Sequence, residues 1–152
     1  MRDSDSSNWG TDTNETILYP MAHSYRVHFL DTLAALMGCQ VILEGGFPNR
    51  RYPDVLRIDF SHSILFIGDA KNSESPSNRA TQARLLEYLR WLSVYVAREN
   101  TTGIFAICFG READTDGWMQ AVTLLGLEAG LSFAKHGMKL FEPGLIVVWF
   151  VS

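Results

Sequence analysis

Three charged side chains stand where two short strands would bring them together. Asp54 follows Pro53, and Asp69 and Lys71 close the next apolar run with Ala70 between them. Side chains two apart on a strand share a face, so Asp69 and Lys71 point the same way and Ala70 points back into the protein. A pair of carboxylates beside an ammonium is what metal-assisted phosphodiester hydrolysis needs. The acids hold a hard cation, and the lysine acts on the attacking water or on the charge that builds on the phosphorus oxygens.

The elements that must position these groups form a hairpin. Val55 to Phe60 and Ile64 to Ala70 are apolar-rich runs separated by Ser61-His62-Ser63, a spacing that predicts two antiparallel strands. An even-length loop (Ser61-His62, or the four residues Phe60 to Ser63) pairs Ile58 with Leu65, Leu56 with Ile67 and Asp54 with Asp69, so apolar meets apolar until acid meets acid. Two bare carboxylates roughly 5 Å apart repel by about 3 kcal/mol at an effective dielectric near 20, equivalent to about two pKa units. Such a pair either shares a proton or holds a divalent cation, and hard oxygen donors on two strands suit Mg²⁺ or Mn²⁺. The alternative is a surface hairpin with solvated charges. Against it, Asp54 and Asp69 continue apolar faces, whereas Asp59 shares its face with Arg57 and looks like an ordinary exposed acid.

These residues resemble a known superfamily. Pro53-Asp54 followed by Asp69-Ala70-Lys71 looks like the PD-(D/E)XK nuclease signature of many restriction endonucleases, Holliday-junction resolvases and recombination exonucleases. The stretch RYPDVLRIDFSHSILFIGDAKNSESP, with TQARLLEYLRWL after it, is similar to the cleavage domain of type IIS restriction enzymes. The resemblance covers about residues 20 to 109. It implies an α/β fold with a restriction-endonuclease-like mixed sheet (an αβββαβ core flanked by helices) and one or two Mg²⁺ ions. It also implies catalytic roles for Asp54, Asp69 and Lys71. The metal ligands would be Asp54, Asp69, Ala70 (which has only its backbone to offer) and a further acid from the first helix or first strand.

Glu44, at the end of its strand, is the choice for that further acid, although a turn acid is an equal reading. Asp31 lies off the buried stripe of its helix, and Glu15 precedes the predicted helix. Gln82 falls on a mostly apolar helical stripe with Leu86, Leu89, Ser93 and Val96. In the resembling enzymes a glutamine here contacts water or phosphate; a bond to local backbone is the other reading. Asn72 and Ser73 could touch phosphate or cap a turn, and Arg50 and Arg51 could grip a DNA backbone or simply be solvated.

Other chemistries have no constellation. The sequence has no GxSxG, GxGxxG or P-loop motif. His23 and His28, five apart, do not share a helical face well, and His28 and Asp31 suit a surface pair. His62 falls in the hairpin turn and His136 in a Lys-rich loop.

Composition predicts one domain. The chain has 152 residues, of which 47% are hydrophobic, enough for a sizeable core. No apolar run approaches the ~20 residues of a membrane span, and the first residues carry no apolar signal region. Cys39 and Cys108 show no metal spacing, which points to a reducing cytoplasm. The formal net charge of −4 is awkward for a nucleic-acid enzyme, but residues 50–98 hold eight basic and five acidic side chains. The positive charge therefore gathers around the proposed site.

Residues 1–14 read as a disordered tail, and 15–152 as the single domain. The pattern predicts a helix from Pro20 to Met37 with a buried stripe of Ala22, Tyr25, Phe29, Leu33 and Leu36. A strand at Val41 to Glu44, the hairpin, and a helix from about Asn78 to Arg98 follow. A strand at Gly103 to Phe109 precedes an extra C-terminal helix (Thr115 to Leu131) and strand (Leu145 to Val151). The second helix has more apolar surface than one face hides, which suggests packing under the C-terminal extension or a dimer interface. Two functions stay open: a Mg²⁺-dependent DNA endonuclease acting as a homodimer or as a subunit of a larger assembly, or a non-catalytic module of that fold for DNA binding or protein assembly.

Overall fold

The computed structural model describes residues 15–44, 47, 52–72, 74–110, 112–141 and 144–151. The elements run α1 (Glu15–Leu36), β1 (Val41–Ile42), β2 (Val55–Asp59), β3 (Ile64–Lys71), α2 (Arg79–Glu99), β4 (Thr102–Phe109), α3 (Thr115–Glu128), β5 (Phe133–Phe141) and β6 (Gly144–Val151). The strands form one mixed α/β sheet in the order β1-β2-β3-β4-β6-β5. The β3–β4 pair is parallel and the other pairs are antiparallel. A parallel pair needs a crossover, and α2 supplies it.

The hairpin register is the expected one, with Ile58 opposite Leu65 and Leu56 opposite Ile67. Asp59 is not the ordinary exposed acid its position suggested. Its carboxylate accepts from the Ser61 and His62 backbone N–H groups, at 3.0 and 3.2 Å, and holds the turn closed. Side-chain bonds from the Ser61 hydroxyl (2.7 Å) and then the His62 ring (2.8 Å) lower its pKa to about 2. Arg57 turns instead to Asp31, with two contacts of 2.6 and 2.8 Å. Asp31 is therefore a bridge between α1 and β2.

Helices cover both sheet faces, and two apolar clusters result. On one face Leu56, Ile58, Leu65, Ile67, Phe105 and Ile107 pack under Leu85, Leu89 and Leu92 of α2 and Trp118 and Val122 of α3. On the other, Val55, Phe66, Ile104, Ala106 and Cys108 pack under Leu30 and Ala34 of α1. β3 and β4 are buried along nearly their whole length, as expected of central strands covered on both faces. The thiols of Cys39 and Cys108 are buried, and burial raises the pKa of both, Cys108 to about 12.

Several boundaries differ from the sequence reading. The tail at 1–14 lies outside the described residues. α1 begins at Glu15 rather than Pro20; Thr16 to Tyr19 contain no Gly or Pro to stop it. Among its described side chains the buried positions are Arg26, Leu30 and Ala34, while Tyr25 is 37% and Leu36 80% exposed. The stripe is thus rotated by one residue, and a guanidinium lies on it. The Val41 strand is shorter than expected, ending at Ile42, although Leu43 N–H still donates to Leu56 O at 3.1 Å. α3 stops at Glu128, and Gly130 turns the chain at φ 83°.

The C-terminal extension is a helix and two strands, not a helix and one. The stretch around His136 is β5, not a loop. Lysines and a glycine hid its period, and lysines are common on edge strands, where they discourage pairing with another chain. The surplus apolar surface of α2 is partly accounted for: α2 and α3 share one cluster, and Trp91 stacks on Phe47 (4.3 Å) and on Tyr95 (5.0 Å). Among the described residues, no helix is long and apolar enough to cross a membrane.

Asn78 caps the crossover helix, its Oδ1 accepting from Thr81 N–H at 2.9 Å. Asn78→Ala is expected to cost about 1 kcal/mol and to lower the melting temperature by roughly 3 °C, read by circular dichroism.

Candidate metal centre

The strand alternation that builds the core also sets out the site. In register, Asp69 lies beside Ile107 and Lys71 beside Phe109, so both continue the face packed under α2 and α3. One step beyond the Val55–Gly68 pair, the same ladder places Asp54 opposite Asp69. The two acids interlock through backbone: Ala70 N–H donates to Asp54 Oδ2 at 2.8 Å, and Asp54 N–H donates to Asp69 Oδ1 at 3.4 Å. Within a strand the N–H and C=O of one residue point to the same side, so the Ala70 carbonyl faces the edge where Asp54 stands.

Burial divides the roles. The Asp54 side chain is 28% exposed, while those of Asp69 and Lys71 are 7% and 6% exposed. Lys71 Nζ donates to Asp69 Oδ2 at 2.5 Å and lies 5.9 Å from the centre of the Trp118 ring. Trp118 is itself fully buried, and its indole N–H donates to Glu74 O at 3.1 Å, fastening α3 to the loop after Lys71. Burial raises the Asp69 carboxyl to about 7; Asp54 pushes the same way, and Lys71 opposes both. Tyr88, whose hydroxyl donates to Tyr52 O at 3.1 Å, is raised too, first by burial and then by Asp69.

Each acid keeps one oxygen with only a long contact among the described residues. For Asp69 Oδ1 it is the 3.4 Å approach to Asp54 N–H, and for Asp54 Oδ1 a 3.8 Å approach to His23 Nε2. Two carboxylates and a carbonyl are hard oxygen donors that fit Mg²⁺ or Mn²⁺, which bind through one or two carboxylates and keep water or substrate oxygens in the other positions. Among the described residues, no group of three or more His, Cys, Asp or Glu side chains is placed to hold an ion.

Asp54, Asp69, Ala70 and Lys71 come together. The other two candidates stand apart from them. Glu44 is exposed, one residue past the Leu43–Leu56 bond; strand alternation would carry it to the α1 face, away from the acids. The Gln82 amide donates to Pro76 O at 2.5 Å, a bond to local backbone. Asn72 accepts from Arg26 and its N–H donates to Glu74 Oε1. Ser73, Arg50 and Arg51 lie outside the described residues.

Sequence reasoning missed His23, Arg26 and Trp118. The first two reach the site from α1 and the third from the C-terminal extension, so no local spacing announces them. The signal available for Arg26 was its place one turn before Leu30 and two turns before Ala34 on the same stripe. Comparisons with models of protein families, with curated proteins and with solved structures found no match.

Proposed function

We propose that this chain is a Mg²⁺- or Mn²⁺-dependent DNA endonuclease with a PD-(D/E)XK-like site on a restriction-endonuclease-like fold. The observation that carries the reading is the meeting of Asp54, Asp69 and Lys71 at one sheet end, with backbone N–H groups fixing both carboxylates. The element order α1-β1-β2-β3-α2-β4 supports it, since it has the αβββαβ sequence of that fold.

Asp54, Asp69 and the Ala70 carbonyl would hold the ion. Once bound, a divalent cation in such a site polarises the phosphate and lowers the pKa of water. The protein's own part is positional. Asp54 presents its carboxylate toward solvent, where a phosphodiester can approach. Asp69 fixes the Lys71 ammonium, and Trp118 walls it. So held, Lys71 orients the attacking water or offsets charge developing on the phosphorus oxygens.

The basic stretch contributes less than its count. Arg57, Arg90 and Arg98 lie 2.6, 3.4 and 3.9 Å from carboxylates, while Arg79 and Arg84 are exposed near the start of α2. Few free phosphate contacts among the described residues imply weak, salt-sensitive affinity, which a second copy or a larger assembly would raise.

A non-catalytic module for DNA binding or protein assembly is favoured by one observation: Lys71 already occupies one oxygen of Asp69 in a buried contact. Two measurements separate the readings. An endonuclease nicks supercoiled plasmid with Mg²⁺ or Mn²⁺ and stops with EDTA. Mn²⁺ also stabilises it, by about 2.7 kcal/mol at a hundred times the dissociation constant, read as a rise in melting temperature. A module does neither, and a chain inert in both assays is not a nuclease.

A further inference from the structure

Arg26 is a charged side chain where α1 should be apolar. It is 4% exposed, in line with Leu30 and Ala34 against the sheet. A buried guanidinium is costly unless it is well bonded, so its surroundings are informative. Its Nη2 donates to Asn72 Oδ1, and Asn72 directly follows Lys71. Across the sheet, the place the guanidinium occupies exists because residue 110 is glycine. A Cβ there would lie 2.9 Å from both Arg26 Cζ and Nη1. Gly110 in turn donates its N–H to Lys71 O at 2.9 Å. One cation therefore rests against the residue after Lys71 and against the residue whose N–H holds the Lys71 carbonyl.

We propose that Arg26 is a positioning residue for Lys71, locking the end of β3 to the end of β4 through Asn72 and Gly110. It is too deeply buried to contact a nucleic acid. The side chain of Lys71 leaves the strand on the α2–α3 face, toward Asp69 and Trp118, and Arg26 steadies the backbone from the α1 face. Lys71 is thus clamped from both layers: α3 fixes where the ammonium sits, and α1 fixes the peptide that carries it. The catalytic consequence rests on the nuclease reading; the positional claim does not.

The test has two arms on the full chain. In the first, native protein is treated with an amine-acylating reagent and labelling of Lys71 is read by peptide mass spectrometry. Arg26→Gln, Asn72→Ala and Gly110→Ala should each raise Lys71 labelling about tenfold through local opening, while Arg26→Lys should recover only part of the protection because it lacks the planar fork. In the second arm, plasmid nicking by the same variants should lose about ten- to a hundredfold in kcat with little change in KM, as small misplacements of catalytic groups do. Asn72→Ala leaves Arg26 and Gly110 in place and serves if the other variants fail to fold. Unchanged Lys71 labelling in folded variants overturns the proposal. So does a rise in KM with kcat preserved, which would make Arg26 a DNA contact. Wild-type protein that never nicks DNA sinks the nuclease reading alone, and the labelling arm still decides the role of Arg26.

Discussion

Lys71→Met should lower Mg²⁺-dependent nicking by roughly a hundred- to a thousandfold, the scale of losing one charge-stabilising donor at a reacting centre. Its effect on stability should depend on pH. Removing one partner of a buried ion pair costs about 3–5 kcal/mol when the other charge is left stranded. Here the stranded group is Asp69, which burial and Asp54 already hold at about 7. It can escape the penalty by taking a proton, so the variant should be nearly as stable as wild type at pH 6 and clearly weaker at pH 8. Asp69→Asn is the mirror case: it leaves Lys71, 6% exposed beside Trp118, without its counter-charge, and should lower stability as well. The double variant Asp69→Asn/Lys71→Met removes both charges and should regain much of the lost stability while staying inactive. Urea melts at the two pH values and a plasmid assay check all three. Cleavage by Lys71→Met at the wild-type rate would take the lysine out of the chemistry.

The part of this site that could be read in the sequence is the part made by strands. A period of two leaves little freedom: once an even-length loop was placed between the runs, Ile58–Leu65 and Leu56–Ile67 followed, and a slip by one residue would have turned both apolar faces outward. Asp54 and Asp69 were legible because they continue those faces. Helical contributions were not. His23 approaches Asp54, and Arg26 approaches Asn72 and Gly110, only because α1 crosses the sheet with its early turns at the Lys71 end, a tertiary fact with no local code. Apolar patterning also assumed that a stripe is apolar, which is why Tyr25 took the place that Arg26 holds. Trp118 was missed for another reason: it comes from α3, beyond the stretch that carries the motif. Glu44 and Gln82 were chosen by their position relative to strand and helix ends. Their side chains follow local geometry instead, toward solvent and toward Pro76 O.

The buried acid also gives the chain a pH dependence with a definite sign. Burial lifts the Asp69 carboxyl from its ordinary 3.8 to about 7 in the folded protein. Between those values the folded chain keeps a proton that the unfolded chain has released. Unfolding is then favoured as pH rises, and this group's contribution to stability, fully present below about pH 4, is lost as pH climbs through about 7. The slope approaches 1.4 kcal/mol per pH unit inside that window. Comparing wild type with Asp69→Asn reads it, since the amide does not titrate, and Asp69→Asn/Lys71→Met removes the offset from the ammonium that the single substitution strands. Their difference in stability should change by a few kcal/mol between pH 4 and pH 8 and level off above. Mn²⁺ should act in the opposite direction. An ion held by Asp54 and Asp69 needs both carboxylates charged, so its stabilising increment should be small at pH 5 and grow toward pH 8. Parallel profiles for wild type and Asp69→Asn would mean that Lys71 keeps Asp69 ionised throughout. The pair would then be a settled ion pair rather than a carboxylate still able to exchange a proton for a cation.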